Sequence, residues 1–388
     1  ATNSTNNPDN LIPALDITSA QQLSATGSAS FDIGPGHVVA VVTNLTLEMA
    51  TADVVTGNAS ITGLGTTDGT IDDADLLAFT ITGASLFLGT GAELNAGRDG
   101  IDTPAEAVGF LVGSASLGLA VVSKGANRFI GAQASVTNAQ LVGIGALELY
   151  ASGTVKLNKT NFAGGERVDW DSATTEPSTP TNLLPSLAID SALDVHADGT
   201  AAIDIGNGAL VATVTGVELN LATMDVTDGT TTLTGADILS FTGTASLFAG
   251  VGGSLNGAHT AVVNGTIGFA VNSVSLSLVS ATGALTDGAN AGDSYVGVSV
   301  ALSDAQLIGV SGFELYASGT LKLNSASDGV TGLALTPRMN WTLATALAND
   351  PDGLLSDLDI LAAVALQVTG SAAIDIGNGA LVATVTGV

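Results

Sequence analysis

Residues Ala201–Val217 read AAIDIGNGALVATVTGV, and Ala372–Val388 repeat the same seventeen letters 171 positions later. A verbatim internal copy of that length makes the chain a repeat protein before any local structure is assigned. More of the unit recurs with small insertions. GALELYASGTVKLN (Gly145–Asn158) matches SGFELYASGTLKLN (Ser311–Asn324), ASLFLGTGAELN (Ala84–Asn95) matches ASLFAGVGGSLN (Ala245–Asn256), and Arg167–Trp170 matches Arg338–Trp341. Asp32–Thr51 is a diverged copy of Asp204–Thr223.

Leu11-Ile12, Leu183-Leu184 and Leu354-Leu355 open the copies. The division is therefore a leader over 1–10, copy one over 11–182, copy two over 183–353 and the start of a third copy over 354–388. The last two residues match Gly216-Val217, which the pattern places mid-strand. The expectation is an excerpt from a longer array, since a ladder cut there leaves backbone groups unpaired.

The patterning is that of strands. From Leu147 to Leu157 the residues Leu147, Leu149, Ala151, Gly153, Val155 and Leu157 alternate with Glu148, Tyr150, Ser152, Thr154 and Lys156. A period of two predicts one buried face and one wet face. Gly, Thr, Ser and Val recur too often for long helices; one short helix is expected near Leu343–Ala348. Gly206-Asn207-Gly208, Thr227-Asp228-Gly229 and Thr286-Asp287-Gly288 supply the positive φ of tight turns, so hairpins and antiparallel pairing follow. Leu210, Ala212 and Val214 share a face, but Val217, Leu219 and Leu221 take the opposite parity. A β-bulge near Thr215-Gly216 restores the face. The Pro-containing stretch from Asn158 to Pro185, and Ser325–Gly353 in copy two, reads as a linker or a cap-like loop.

The fold expected is all-β: tandem repeats of about 171 residues, mainly antiparallel strands stacked into an elongated rod. A β-solenoid and one β-sandwich per repeat are the alternatives. Small residues at Gly199–Ala202 and Gly243–Ser246 invite close stacking of sheets, and in such arrays each unit contacts mainly its neighbours.

Composition excludes several functions. Acidic residues number 36 against 8 basic ones, a formal charge of −28. Phosphate backbones and anionic membrane surfaces repel such a chain. No cysteine is present, which removes disulfides and thiolate metal sites. No apolar run reaches the roughly 18 residues of a membrane helix. Two Trp, three Tyr and ten Phe are too few for the aromatic girdles of a membrane barrel.

Acidic loops are the metal candidates. Asp72, Asp73 and Asp75, with Asp68, share one loop. Asp225 and Asp228, with Asp237, hold the related place in copy two, and Asp350, Asp352, Asp357 and Asp359 surround the start of copy three. Loop carboxylates are what calcium takes; solvated turn aspartates are the plainer reading. His37, His196 and His259 fall at unmatched places and form no triad. Arg167/Trp170 and Arg338/Trp341 read as a tryptophan plug at the junction between units, the alternative being a cation–π ligand platform. Tyr150/Tyr316 and Lys156/Lys322 point outward, each lysine pairing with Glu148, Glu314 or a neighbouring aspartate.

Long near-identical units, acidity, absence of cysteine and Ser/Thr/Gly/Ala-rich strands resemble the repeat regions of giant bacterial surface proteins, the adhesins and extracellular fibre or matrix proteins. That resemblance implies secretion to the extracellular space or cell surface and a spacing, adhesive or sheath role without catalysis. Its partner would be itself, end to end or through edge strands, with polysaccharide a further partner. The alternative function is a carbohydrate- or lipid-binding module.

Overall fold

The structure, a computed structural model, describes residues 21–34, 36–176 and 182–387. The leader over 1–10, Leu11-Ile12, Pro177 and Pro180 lie outside the described residues. In chain order the strands are β1 (Gln21–Ile33), β2 (Val38–Val55), β3 (Thr70–Thr90), β4 (Glu93–Leu94), β5 (Ile101–Asp102), β6 (Val108–Lys124), β7 (Asn127–Val142), β8 (Leu147–Thr160), β9 (Thr174–Glu176), β10 (Leu193–Ile205), β11 (Leu210–Thr227), β12 (Thr232–Val251), β13 (Ser254–Leu255), β14 (Val262–Val263), β15 (Ile267–Thr282), β16 (Ser294–Ile308), β17 (Phe313–Ser327), β18 (Leu366–Ile376) and β19 (Leu381–Val385). The fold is all-β. Among the described residues the one α-helix is a single turn, α1 (Trp341–Ala344), earlier and shorter than the helix expected near Leu343–Ala348.

Fourteen of these strands form one open sheet in the order β1-β2-β3-β6-β7-β8-β10-β11-β12-β15-β16-β17-β18-β19, with β9 added beside β2. Every pairing is antiparallel, β8 to β10 included. The sheet does not close, so β1 and β19 are its two edges. A solenoid would stack its strands in parallel, and a sandwich would bring a second large sheet against the first; among the described residues the remaining sheets are the two-stranded hairpins β4–β5 and β13–β14.

Turn chemistry places the hairpins as expected. Gly206, Asn207 and Gly208, at φ +69, +52 and +87°, link β10 to β11. The bulge near Thr215-Gly216 is present: Thr215 pairs with Thr244, the next pair is Glu218 with Thr242, and Gly216 sits at φ +58°. Gly199–Ala202 and Gly243–Ser246 do not meet a facing sheet. They lie mid-strand, where register shifts at Gly199/Ala201 and Ala245/Leu247 bend the ladder.

The two faces differ along their whole width, because directly opposed residues point to the same side. One row runs Leu45, Ile81, Leu117, Ala134, Val155, Ala197, Leu219, Phe241, Leu278, Val298, Leu323, Leu366 across twelve successive strands. The adjacent row, on the opposite face, runs Ser135, Thr154, Asp198, Glu218, Thr242, Ser277, Ser299, Lys322. We call these the apolar and the polar face.

The core lies on the polar face, at the two ends of the strands. At one end, loops from residues 56–69, 161–192 and 328–365 bury Ile61, Val168, Trp170, Leu187, Met339, Trp341 and Ile360 against Ala78, Val122, Phe129, Ile238 and Val279 of the sheet. At the other, the β4–β5 hairpin covers Val39 and Phe87 with Ala92 and Ala107. The segments read as linker or cap are thus caps, although β8 and β17 extend into their first residues.

This reverses the expected use of the alternation in β8. The period of two holds, but the Leu147–Leu157 set is not the buried one. Val155 is 52% exposed, while Asn158, on the Tyr150 side, is fully buried. The caps choose that side because it offers hydrogen-bonding groups that their own backbone carbonyls and indole rings require. Both buried clusters lie on the polar face, and larger side chains of the apolar face, such as Leu239, Leu321 and Leu366, stay exposed.

Candidate functional site

The caps are built around a matched trio. Asn158, in the last turn of β8, accepts the Trp170 indole N–H at 2.9 Å and donates to the carbonyls of Val168 and Asp190 at 2.9 and 3.0 Å. Asn324 of β17 accepts from Trp341 at 3.2 Å and donates to Met339 and Leu361 at 2.9 and 3.3 Å. Each indole lies over a glycine: a Cβ on Gly131 would meet Trp170 at 2.6 Å, and one on Gly297 would meet Trp341 at 2.6 Å. Trp170 and Trp341 are buried, so neither ring is a ligand platform. Each is a plug seated on the strands that precede it and packed with the opening residues of the next copy: the Trp170 backbone N–H donates to the Ile189 carbonyl at 2.9 Å, and Trp341 shares its glycine seat with Leu358. Arg167 lies 3.9 Å from Asp194, which Lys159 also pairs.

The candidate aspartates serve turns. Asp72 accepts from Thr66 N–H at 2.7 Å, Asp73 donates its N–H to Asp53 at 2.7 Å, and Asp75 accepts from the Thr51 hydroxyl at 3.3 Å. Asp225 accepts from Gly235 N–H at 2.7 Å. Asp228 is buried; it accepts from Thr230 and Thr231 at 2.8 Å and from Asn340 N–H at 2.7 Å, tying a hairpin to the cap. Asp350 is buried and accepts from Leu354 and Leu355 N–H at 3.0 and 2.8 Å, while Asp352 lies exposed in the same loop. Among the described residues no three His, Asp or Glu side chains gather in a metal-holding group.

The histidines stand apart. His37 contacts the Gly89 carbonyl at 3.0 Å, and His196 bridges Asn220 and Asp198 at 2.6 and 3.0 Å. His259, at the tip of the β13–β14 hairpin, stacks on Tyr150 with ring centroids 3.5 Å apart. Burial, then the charge and hydrogen bond of Glu148, push the Tyr150 hydroxyl above its ordinary pKa. The hairpin tip forms one wall of a hollow of about 160 Å³ lined also by Tyr150, Ser152 and Ala202. The matched hollow beside Tyr316, Ser318 and Ala373, about 180 Å³, is lined among the described residues by β16, β17, β18, β19 and Thr386 just beyond them, and Tyr316 is exposed. Sequence reasoning flagged both tyrosines but had no signal for their partner, since His259 has Arg98 at its matched position.

Lys322 pairs with Asp359 at 2.9 Å, as a neighbouring aspartate was expected to; Ala188 stands at the matched position near Lys156. The hydrogen bond and charge of Lys322 hold the Asp359 carboxyl below the usual carboxylate range. A lowered folded-state pKa contributes stability above the ordinary carboxylate range, lost as pH falls through the lower folded value. Asp350 runs the other way: burial raises it, against two backbone N–H donors that lower it. Its contribution is present below the ordinary range and lost as pH rises through the raised value. Asp359→Asn is therefore expected to flatten the acid limb: between about pH 5 and about pH 2 its melting temperature should fall less than that of the parent chain. Thermal unfolding followed by circular dichroism at each pH reads the difference.

The described residues form a broad sheet with β1 and β19 outermost, a polar hollow lined by Ser135, Thr137, Ser152, Thr154 and Thr200, and an apolar face with exposed side chains. Comparison of the chain with protein-family models, with curated proteins and with solved structures finds no match.

Proposed function

We propose that the chain is a structural repeat protein of the extracellular space or cell surface, assembling as a rod, filament or layer without catalysis. The observation that carries this reading is the continuity of one antiparallel ladder through both halves. β8 joins β10 in the register Leu157–Val195 to Leu147–Ile205, and β17 joins β18 in the matched register Leu323–Leu366 to Phe313–Ile376. Strands of matching sequence thus meet in the same way at each join, which is what an array extended unit by unit requires. Among the described residues β1 and β19 are the outermost strands, the places where a further strand would add to the ladder. The dense negative charge discourages non-specific clumping.

Negative-stain microscopy of the purified chain, with calcium and then with chelator, tests this. Regular filaments or ribbons are the expected result, and discrete particles under both conditions would sink it. Filaments lost only in chelator would add calcium, held by the loop carboxylates, as a stiffening ion.

A further inference from the structure

We propose that the uncovered apolar face is a homotypic interface, on which a second copy of this chain lays the same face to make a two-layer assembly. The proposal rests on the structural reading above and adds which surface is used and how the sheets lie.

The face is charge-free where it is broadest. Its central row passes Val155, Ala197, Leu219, Phe241 and Leu278 without a polar side chain. In β8 the same side holds Leu147, Leu149, Ala151, Gly153, Val155 and Leu157, eleven residues from first to last. At about 3.3 Å per residue and about 4.8 Å per strand, the twelve strands of the row give a surface of roughly 2,000 Å². A standard interface takes about 800 Å² from each partner, and lone soluble chains seldom leave apolar patches beyond several hundred Å² in water. The area is therefore ample for a stable pair.

Charge selects the occupant. The chain carries a net −28, yet Asp198, Glu218 and Lys322 lie on the polar row, and the two aspartates on the apolar side, Asp75 and Asp237, stand at its strand-end rim beside Thr51 and Thr223. A face-to-face contact over the central rows buries none of these charges. Two twisted sheets pack so at about 10 Å separation with strands about 30° apart. Lipid fits less well, because the net charge of −28 is repelled by anionic membrane surfaces.

Sedimentation velocity over a dilution series of the full chain tests the proposal, with Val155→Lys and Thr154→Lys as variants. The two positions are adjacent on β8 and point to opposite faces. Val155 is 52% exposed in the single chain, so lysine there leaves the caps intact; circular dichroism checks this. The parent chain should sediment at no less than about twice 38.0 kDa, with the two-layer pair as the smallest associated species on dilution. Val155→Lys should weaken the pairing at least about 100-fold, because two charges enter an apolar contact, and Thr154→Lys should leave it unchanged. A parent chain that stays monomeric overturns the proposal. So does association that Val155→Lys leaves intact, although filaments in the micrographs would then keep the structural reading standing. Single chains co-floating with neutral phosphatidylcholine vesicles would make lipid the occupant and overturn it too.

Discussion

Trp341→Ala is expected to lower the stability of the chain by about 3–5 kcal/mol, the range for removing a large buried aromatic side chain. Trp341 is fully buried and is seated directly against Gly297 and Asn324. Leu358, Met339 and Ile360 share its cluster, so the cavity would be lined by a loop with little secondary structure to refill it. The loss should begin in the cap, since the cap is held to the sheet mainly by this cluster, and local opening follows where buried contacts are few. Urea unfolding by circular dichroism gives the change. A loss below about 1 kcal/mol would mean that the cap does not depend on its plug.

Asn324→Ala should cost about 2 kcal/mol or more, through a different mechanism. The side chain satisfies the indole N–H and the carbonyls of Met339 and Leu361. Removing it leaves the indole N–H and the Met339 carbonyl without these partners, at about 1–3 kcal/mol each before any water enters, while the Leu361 carbonyl keeps the Val364 N–H. Trp341 remains, so the readout separates the two variants: Asn324→Ala should open the cap and shift the Trp341 emission to the red. Asn158→Ala should act likewise on Trp170.

The period of two, the Gly-Asn-Gly turns and the parity change at Thr215-Gly216 were readable in the sequence because each is a local rule of backbone geometry. The bulge followed from Val214 and Val217 alone. Which face would be covered was not readable. The apolar set Leu147–Leu157 reads as a core, but covering depends on where residues 161–192 fold back, and that is set by contacts such as Trp170 with Asn158, twelve positions apart, and Trp170 with Gly131, thirty-nine apart. Asn158 carried a faint signal: it ends the matched KLN segment in both halves, and a lone amide at the close of an apolar run needs a partner. The Tyr150–His259 stack carried none, because its two rings come from different halves and only one of them recurs. The candidate aspartates were visible as a group, yet the acceptor roles of Asp72, Asp228 and Asp350 depend on the loop backbone around them.

The account turns on one continuous single-layer sheet carrying the two halves side by side. The most direct test is a spin-label distance between Thr154→Cys and Thr320→Cys, diluted with unlabelled chain. The parent sequence has no cysteine, so the labels are unique. β8 and β17 are six strand steps apart, and at about 4.8 Å per step the backbone positions should lie about 29 Å apart. A narrow distribution near that value is the predicted result. A distance near 10–15 Å, as when the halves fold onto each other as two facing sheets about 10 Å apart, would contradict it.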